Sequence, residues 1–201
     1  MKRRRRSVGR STSSPGQNRQ GIAAFWVIAA APCLVILLCV VIDVGRLWLA
    51  RVELEDALEA AALASVQDWG ESGGGETLPS RQRGQALAAA NVIRGVPLVL
   101  DDNYDNSGSG GPNQNDSCAG DLVFGVITNS SPPFEFDAGV DGTTVDTTAV
   151  RAQKTVQINS LCQNFLGIPV GPFDITAMST ARYDDNTGTT ALIKIGSFVC
   201  P

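Results

Sequence analysis

The strongest constraint on this chain is an uncharged apolar run, Ile22 to Ile42, that passes into an amphipathic helical pattern without an intervening breaker. At about 1.5 Å per helical residue such a run covers a hydrocarbon core of roughly 30 Å. It predicts a transmembrane helix. Pro32 lies in mid-run, where it removes one helix hydrogen bond, a loss that membrane helices tolerate. A cleaved secretory signal fits less well, because the run exceeds a usual h-region and no small-x-small site with a turn follows it. A twin-arginine signal fits poorly too, since a Ser/Pro/Gly/Gln-rich stretch separates "RRRRSVGR" from the run.

Charge divides at the same place. Of the 16 Lys and Arg, nine fall in residues 1–51 against Asp43 alone, whereas residues 52–201 carry seven basic and 19 acidic side chains. The positive-inside rule then puts residues 1–20 in the cytoplasm as a basic arm, residues 21–44 in the bilayer and residues 45–201 outside. Attraction to lipid headgroups accounts for the arm, and the bilayer is the expected partner. No aromatic platform or folded module accompanies the basic residues, so no nucleic-acid partner is expected.

Beyond the span, Leu47, Leu54, Leu58, Ala61, Ala62 and Ser65 recur at helical spacing, with Glu53, Asp56 and Glu59 off that stripe. One helix therefore extends from Ile22 to about Trp69, with one face meant for burial. A flexible break at 70–79 precedes a second helix, capped at Ser80 and ending at Gly95 ahead of Pro97. The stretch 101–117, "DDNYDNSGSGGPNQNDS", reads as a flexible polar loop anchored by nothing but Tyr104. The period then changes to two. Residues 121–128, 148–158, 173–183 and 190–199 read as strands, and the short segment 160–169 is open between a helix and a loop. One-sided strands need a cover and amphipathic helices need a floor. The expected fold class is α+β, with helices packed on one face of a small antiparallel sheet.

Catalytic chemistry has little to work with. The chain has no histidine, which removes the commonest general base and metal ligand, and the acidic pairs lie in turn-like, solvated stretches. No catalytic residue, cofactor or metal is expected, nor any small-molecule substrate. Asp101, Asn103 and Asp105 match the opening of a calcium loop, but the sixth position is Asn106 instead of glycine and the twelfth is Pro112 instead of glutamate. The Gly/Ser stretch 107–112 lacks the Gly-Lys-Ser/Thr ending of a phosphate loop. Cys33 and Cys39 lie in the span and read as small apolar side chains. Of Cys118, Cys162 and Cys200 on the outer side, two can form a disulfide, and spacing does not select the pair.

The basic arm, Gly21, the proline-containing span and "DVGRLWLARVELEDALEAAALAS" together resemble the N-terminal region of TadG-like proteins of the bacterial tight-adherence (Tad, Flp-type) pilus machinery. The resemblance covers about residues 19–66 and is carried at the membrane boundary by Asp43, Gly45, Arg46, Ala50, Arg51 and Leu54, followed by the alanine-rich run to Ala64. It implies a structural or accessory component of pilus assembly or secretion. Such a protein is anchored by one span in the bacterial inner membrane, with other assembly proteins as partners. The related TadE-like pseudopilins are cut after a glycine and carry glutamate at the fifth mature residue. Gly21 stands in the right place for such a cut, but the fifth residue after it is Trp26. An uncleaved anchor is therefore expected, with a processed minor pseudopilin as the alternative. A ligand-binding or sensory module on a membrane stalk is the rival from another class.

Overall fold

Apolar length and alanine content make the first element long: α1 runs from Gln17 to Glu71. A computed structural model describes residues 17–109, 111–129, 131–144, 147–161, 164–165, 168–169 and 171–200. It divides into two compact units between Ile42 and Asp43. In the first unit, large apolar side chains such as Phe25, Trp26, Leu34 and Leu37 are more than 60% exposed within the protein itself, as a lipid-facing helix requires. Cys33 carries a free thiol. Cys39 is disulfide-bonded, which corrects its reading as a plain apolar side chain.

The second unit begins on the same helix. Ala50, Leu54, Ala57, Leu58, Ala61, Ala62, Ser65, Val66 and Trp69 are fully buried, at steps of three and four residues that keep them on one face. This is the stripe expected from the sequence, carried on to Trp69. Trp69 meets Phe124 edge to face at 5.1 Å, and its indole N–H donates to the Gly75 carbonyl at 2.9 Å. A second helix, α2 (Leu78–Ala90), packs beside it. Thr77 stands at its N-cap, and Ser80, the expected cap, instead donates its hydroxyl to Asp68 of α1 at 2.7 Å. Contact is closest at Gly84, where an added Cβ would lie 2.0 Å from the Ser65 hydroxyl oxygen and 3.2 Å from the Ala61 carbonyl oxygen.

The second helix stops five residues short of Gly95. Residues 92–97 turn back as a hairpin, β1 (Val92–Ile93) with β2 (Val96–Pro97), because Arg94 and Gly95 both take positive φ, 53° and 83°. A tight two-residue turn of that kind matches the twist of paired strands.

Six strands form the main sheet: β3 (Leu122–Ile127), β4 (Phe134–Asp137), β5 (Thr148–Ile158), β8 (Phe173–Asp184), β9 (Thr189–Ile193) and β10 (Ile195–Val199). Between β5 and β8 the segment of undecided character holds a small hairpin, β6 (Asn164–Phe165) with β7 (Ile168–Pro169). The order in the main sheet is β10-β4-β3-β5-β8-β9. Its backbone is the long antiparallel pair β5 and β8, in register from Ala149 opposite Arg182 to Ile158 opposite Phe173. Alternation sends Leu122, Phe124, Val150, Ala152, Ala177 and Ala181 into one core with the helices. The class is therefore α+β, as expected.

Two features depart from a plain antiparallel sheet. The expected strand 190–199 is split at Lys194: β9 pairs with β8 at one edge, and β10 pairs in parallel with β4 at the other. Since Ile193 and Ile195 are two residues apart, the two edges must come together, and the sheet curls almost into a barrel. The curl encloses a second, smaller core of Val123, Ile127, Phe136, Ala138 and Ala149, joined by Phe134, Ile193, Ile195 and Phe198. Phe136 and Phe198 stack at 5.5 Å there, and the Arg151 guanidinium lies over Phe198 at 4.6 Å. That enclosure explains why β3 is buried on both faces.

Candidate functional site: the membrane-boundary motif

The residues singled out at the boundary fall into two sets. Asp43, Ala50 and Leu54 share the buried stripe of α1, at steps of seven and four residues. Ala50 and Leu54 are apolar, so their burial in the core with the sheet is ordinary packing. Asp43 is not, and it is 8% exposed. Its carboxylate accepts the Ser160 hydroxyl through Oδ2 and the Leu161 amide through Oδ1 at 2.9 Å. A carboxylate can be buried there because it ties the helix to the segment that follows β5. The residue that closes the apolar run thus opens the packed domain.

Arg46, one turn on, lies 3.8 Å from Asp43. Its Nε and Nη1 are buried and have no hydrogen-bond partner. Gly45 and Arg51 face outward. Nothing lies within 4 Å of a Cβ built on Gly45, so packing does not demand glycine there. Arg51 pairs with Glu55 across one helical turn at 2.8 Å, an exposed pair worth a few tenths of a kcal/mol on general grounds. Gly21 falls within α1.

Of the three outer cysteines, Cys118 and Cys200 are joined in a disulfide with Cα atoms 6.2 Å apart. Cys162 lies outside the described residues.

The polar stretch 101–117 has an anchor that pattern reading missed. Arg81 of α2 is fully buried, and its guanidinium lies over the Phe124 ring at 4.3 Å. It donates to the carbonyl oxygens of Asp102 (2.6 Å), Asn103 (3.0 Å), Leu122 (3.0 Å), Asn113 (3.1 Å) and Gln114 (3.3 Å). Further bonds reach Asn115 Oδ1 at 2.8 Å and Thr77 Oγ1 at 3.0 Å. Burial lowers its pKa to about 10, so the group remains cationic at neutral pH. Two asparagines, Asn113 buried and Asn115 half-buried, complete the arrangement. Asn113 donates to the Ala138 and Val140 carbonyls and accepts the Gly142 amide, while Asn115 pairs with both backbone groups of Phe124.

The calcium-like positions take part in the same hydrogen bonding. Asn103 gives its side-chain amide to the Ser117 and Leu122 carbonyls and accepts the Ser117 amide. Asp101 and Asp105 each close a local turn, on the amides of Asn103 and Ser107. Hydrogen bonds from Ser107 hold the exposed Asp105 carboxyl below its ordinary pKa. Among the described residues no group of three or more His, Cys, Asp or Glu side chains could hold a metal ion. The arrangement around 101–117 is suited to fastening a loop.

Residues 21–68 match the model of the Tad family, described as Flp pilus-assembly TadE/G-like. The matched segment takes in Gly21, the whole apolar run, the boundary motif and the buried stripe as far as residue 68, and the likeness is confined to that part of the chain. No curated protein and no solved structure matches the chain.

Proposed function

We propose that the protein is a structural or accessory component of a Tad-type (Flp) pilus assembly or a related secretion apparatus. One observation carries this reading: the family-matched segment 21–68 holds both the lipid-length apolar run and the buried face on which the second unit is built. The same helix that would anchor the protein is the floor of its folded domain. Such a protein acts by holding and presenting a domain, which needs no catalytic group. The basic residues ahead of the span favour a single pass through the inner membrane, with the domain of residues 43–201 outside the cytoplasm.

The anchor is taken to be uncleaved. A glutamate five residues after Gly21 would be costly in lipid unless paired with a neighbouring subunit, and Trp26 offers no such contact. Affinity purification of the full chain after crosslinking in intact bacteria tests the whole reading. Recovery of the assembly ATPase, platform or pilin proteins is expected, and piliation should fail when the gene is deleted. Unchanged piliation with none of those proteins recovered would refute the assignment. Mass spectrometry of the same sample should find no N-terminus at Ile22; finding one would make the protein a processed pseudopilin instead.

A further inference from the structure

The long pair β5 and β8 runs past the rest of the sheet. β9 pairs with β8 only from Thr180 to Asp184, and at Lys194 the chain leaves for β4, so residues 173–179 of β8 have no strand on their outer side. Which of their backbone groups are left over follows from the alternation of an antiparallel ladder. Gln153 gives its N–H to Asp121 on the β3 side, so the even-numbered residues of β5 bond to β8, and their partners there are odd-numbered, Ile175 for Val156 and Ala177 for Lys154. Asp174, Thr176 and Met178 therefore turn N–H and C=O to the open side, and no backbone bond among the described residues reaches them there. Bare edges are ordinarily blunted by lysine, proline or a bulge. The stretch "FDITAMS" has none of these, and its single charge is Asp174. Along one flank runs a groove of about 440 Å³, walled by Val44, Leu47 and Trp48 of α1 and by Phe173 and Ile175 of β8. Val44 and Trp48 are 60% and 70% exposed.

We infer that the open edge of β8 pairs antiparallel with the same edge of a second copy of this chain, Thr176 opposite Thr176 on the two-fold axis. The backbone selects a strand as occupant, because neither a lipid nor a helix offers a free row of N–H and C=O groups at strand spacing. The edge also fits itself. Thr176 is the midpoint of residues 173–179 and its groups point outward, so a two-fold there sets Asp174 opposite Met178 and gives every outward group a partner. An axis at Ile175 would instead set Met178 against Pro172, which has no N–H. Charges agree with the first register. Arg151 Nη2 donates to Met178 Sδ at 3.0 Å, a weak acceptor, and pairing brings Asp174 of the second copy beside that thioether. A carboxylate there gives the guanidinium a strong acceptor, and no like charges stand opposite one another. On the groove side the residues of the second copy that come opposite Ile175 and Phe173 are Ala177 and Ser179, small enough to enter beside Trp48 without displacing the walls.

This dimer rests on the strand edge and is independent of the pilus assignment, so the two stand or fall separately. Sedimentation equilibrium of the full chain in an uncharged detergent should show a reversible dimer. Thr176→Lys changes an exposed side chain and sets two like charges face to face on the axis, so it should weaken association at least tenfold while the circular dichroism spectrum stays unchanged. Bonded pairs in an antiparallel ladder hold their Cα atoms about 5.5 Å apart, within disulfide reach. In a Cys33→Ala background, which removes the free thiol of the apolar run, Thr176→Cys should therefore oxidise to a covalent dimer. Asp174→Cys should crosslink to Met178→Cys when the two variants are mixed, and neither should crosslink to itself. Gln157→Cys, exposed on the same face one strand away, should stay uncrosslinked. A monomer at every concentration, a dimer that Thr176→Lys leaves intact, or no covalent dimer through Thr176→Cys would each overturn the proposal. In intact bacteria the same Thr176→Cys protein should crosslink between copies; a crosslink solely to a different protein would give the edge to that protein's strand and overturn it too.

Discussion

Arg81 shows how far one side chain can organise a region whose composition looks structureless. A planar guanidinium offers five N–H groups, and here they serve seven acceptors, five of them backbone carbonyls from segments distant in sequence. Lysine carries a charge but only three donors at a point, so Arg81→Lys withdraws several charged hydrogen bonds at once, while the carbonyls of Asn103, Gln114, Leu122 and Asn113 each keep a second donor and that of Asp102 depends on Arg81. At roughly 1–3 kcal/mol for a buried carbonyl left bare, the variant should lose about 1–3 kcal/mol of stability. Urea denaturation of the full chain in detergent, followed by tryptophan fluorescence, measures this; a loss under 1 kcal/mol would show the network to be dispensable. None of it could be read from the sequence. An arginine in "SRQRGQ" looks like the solvated face of a helix, and its burial is decided by carbonyls that only the tertiary fold assembles. Asp43 was easier to find because a lone carboxylate at the end of an apolar run stands out, although its partners, Ser160 and Leu161, lie more than a hundred residues away.

At the scale of elements, the helix pair α1 and α2 is set by small residues. An exposed glycine inside a helix would gain about 0.8–1.0 kcal/mol on replacement by alanine. At Gly84 the new Cβ would instead sit 2.0 Å from Ser65 Oγ, which must move within a fully buried site, and 3.2 Å from the Ala61 carbonyl oxygen, a backbone atom that cannot turn aside. Gly84→Ala should therefore destabilise, by about 1–3 kcal/mol. The sign alone is diagnostic, and a rise in melting temperature would contradict the packing described. Helix α1 and strands β5 and β8 were legible because each keeps one period over eleven or more residues with a clear difference between its faces. The hairpin at 92–97 was not, since its turn needs positive φ at Arg94, a residue type that gives no hint of it. Nor was β4, four residues long and preceded by two prolines. The split at Lys194 left no mark either, because the alternation of side chains continues through it while the hydrogen-bonding partner changes.

At the scale of the molecule, closure depends on residues far apart in the chain. The Cys118–Cys200 bond spans 82 positions and holds the end of β10 to the loop before β3. Cross-links over loops of that length stabilise by about 2–4 kcal/mol. Cys118→Ser with Cys200→Ser should lower the melting temperature accordingly without changing the helix content seen by circular dichroism. The switch of β9 into β10 has a consequence for how the domain is made. Its sheet acquires its last edge only when residues 195–199 pair with β4, some sixty positions after β4 itself. A chain made from its N-terminal end therefore cannot finish this domain in stages. Until residue 199 is available, Phe134 and Phe136 stay without their lid, and the barrel stays open at that edge for the whole of the interval.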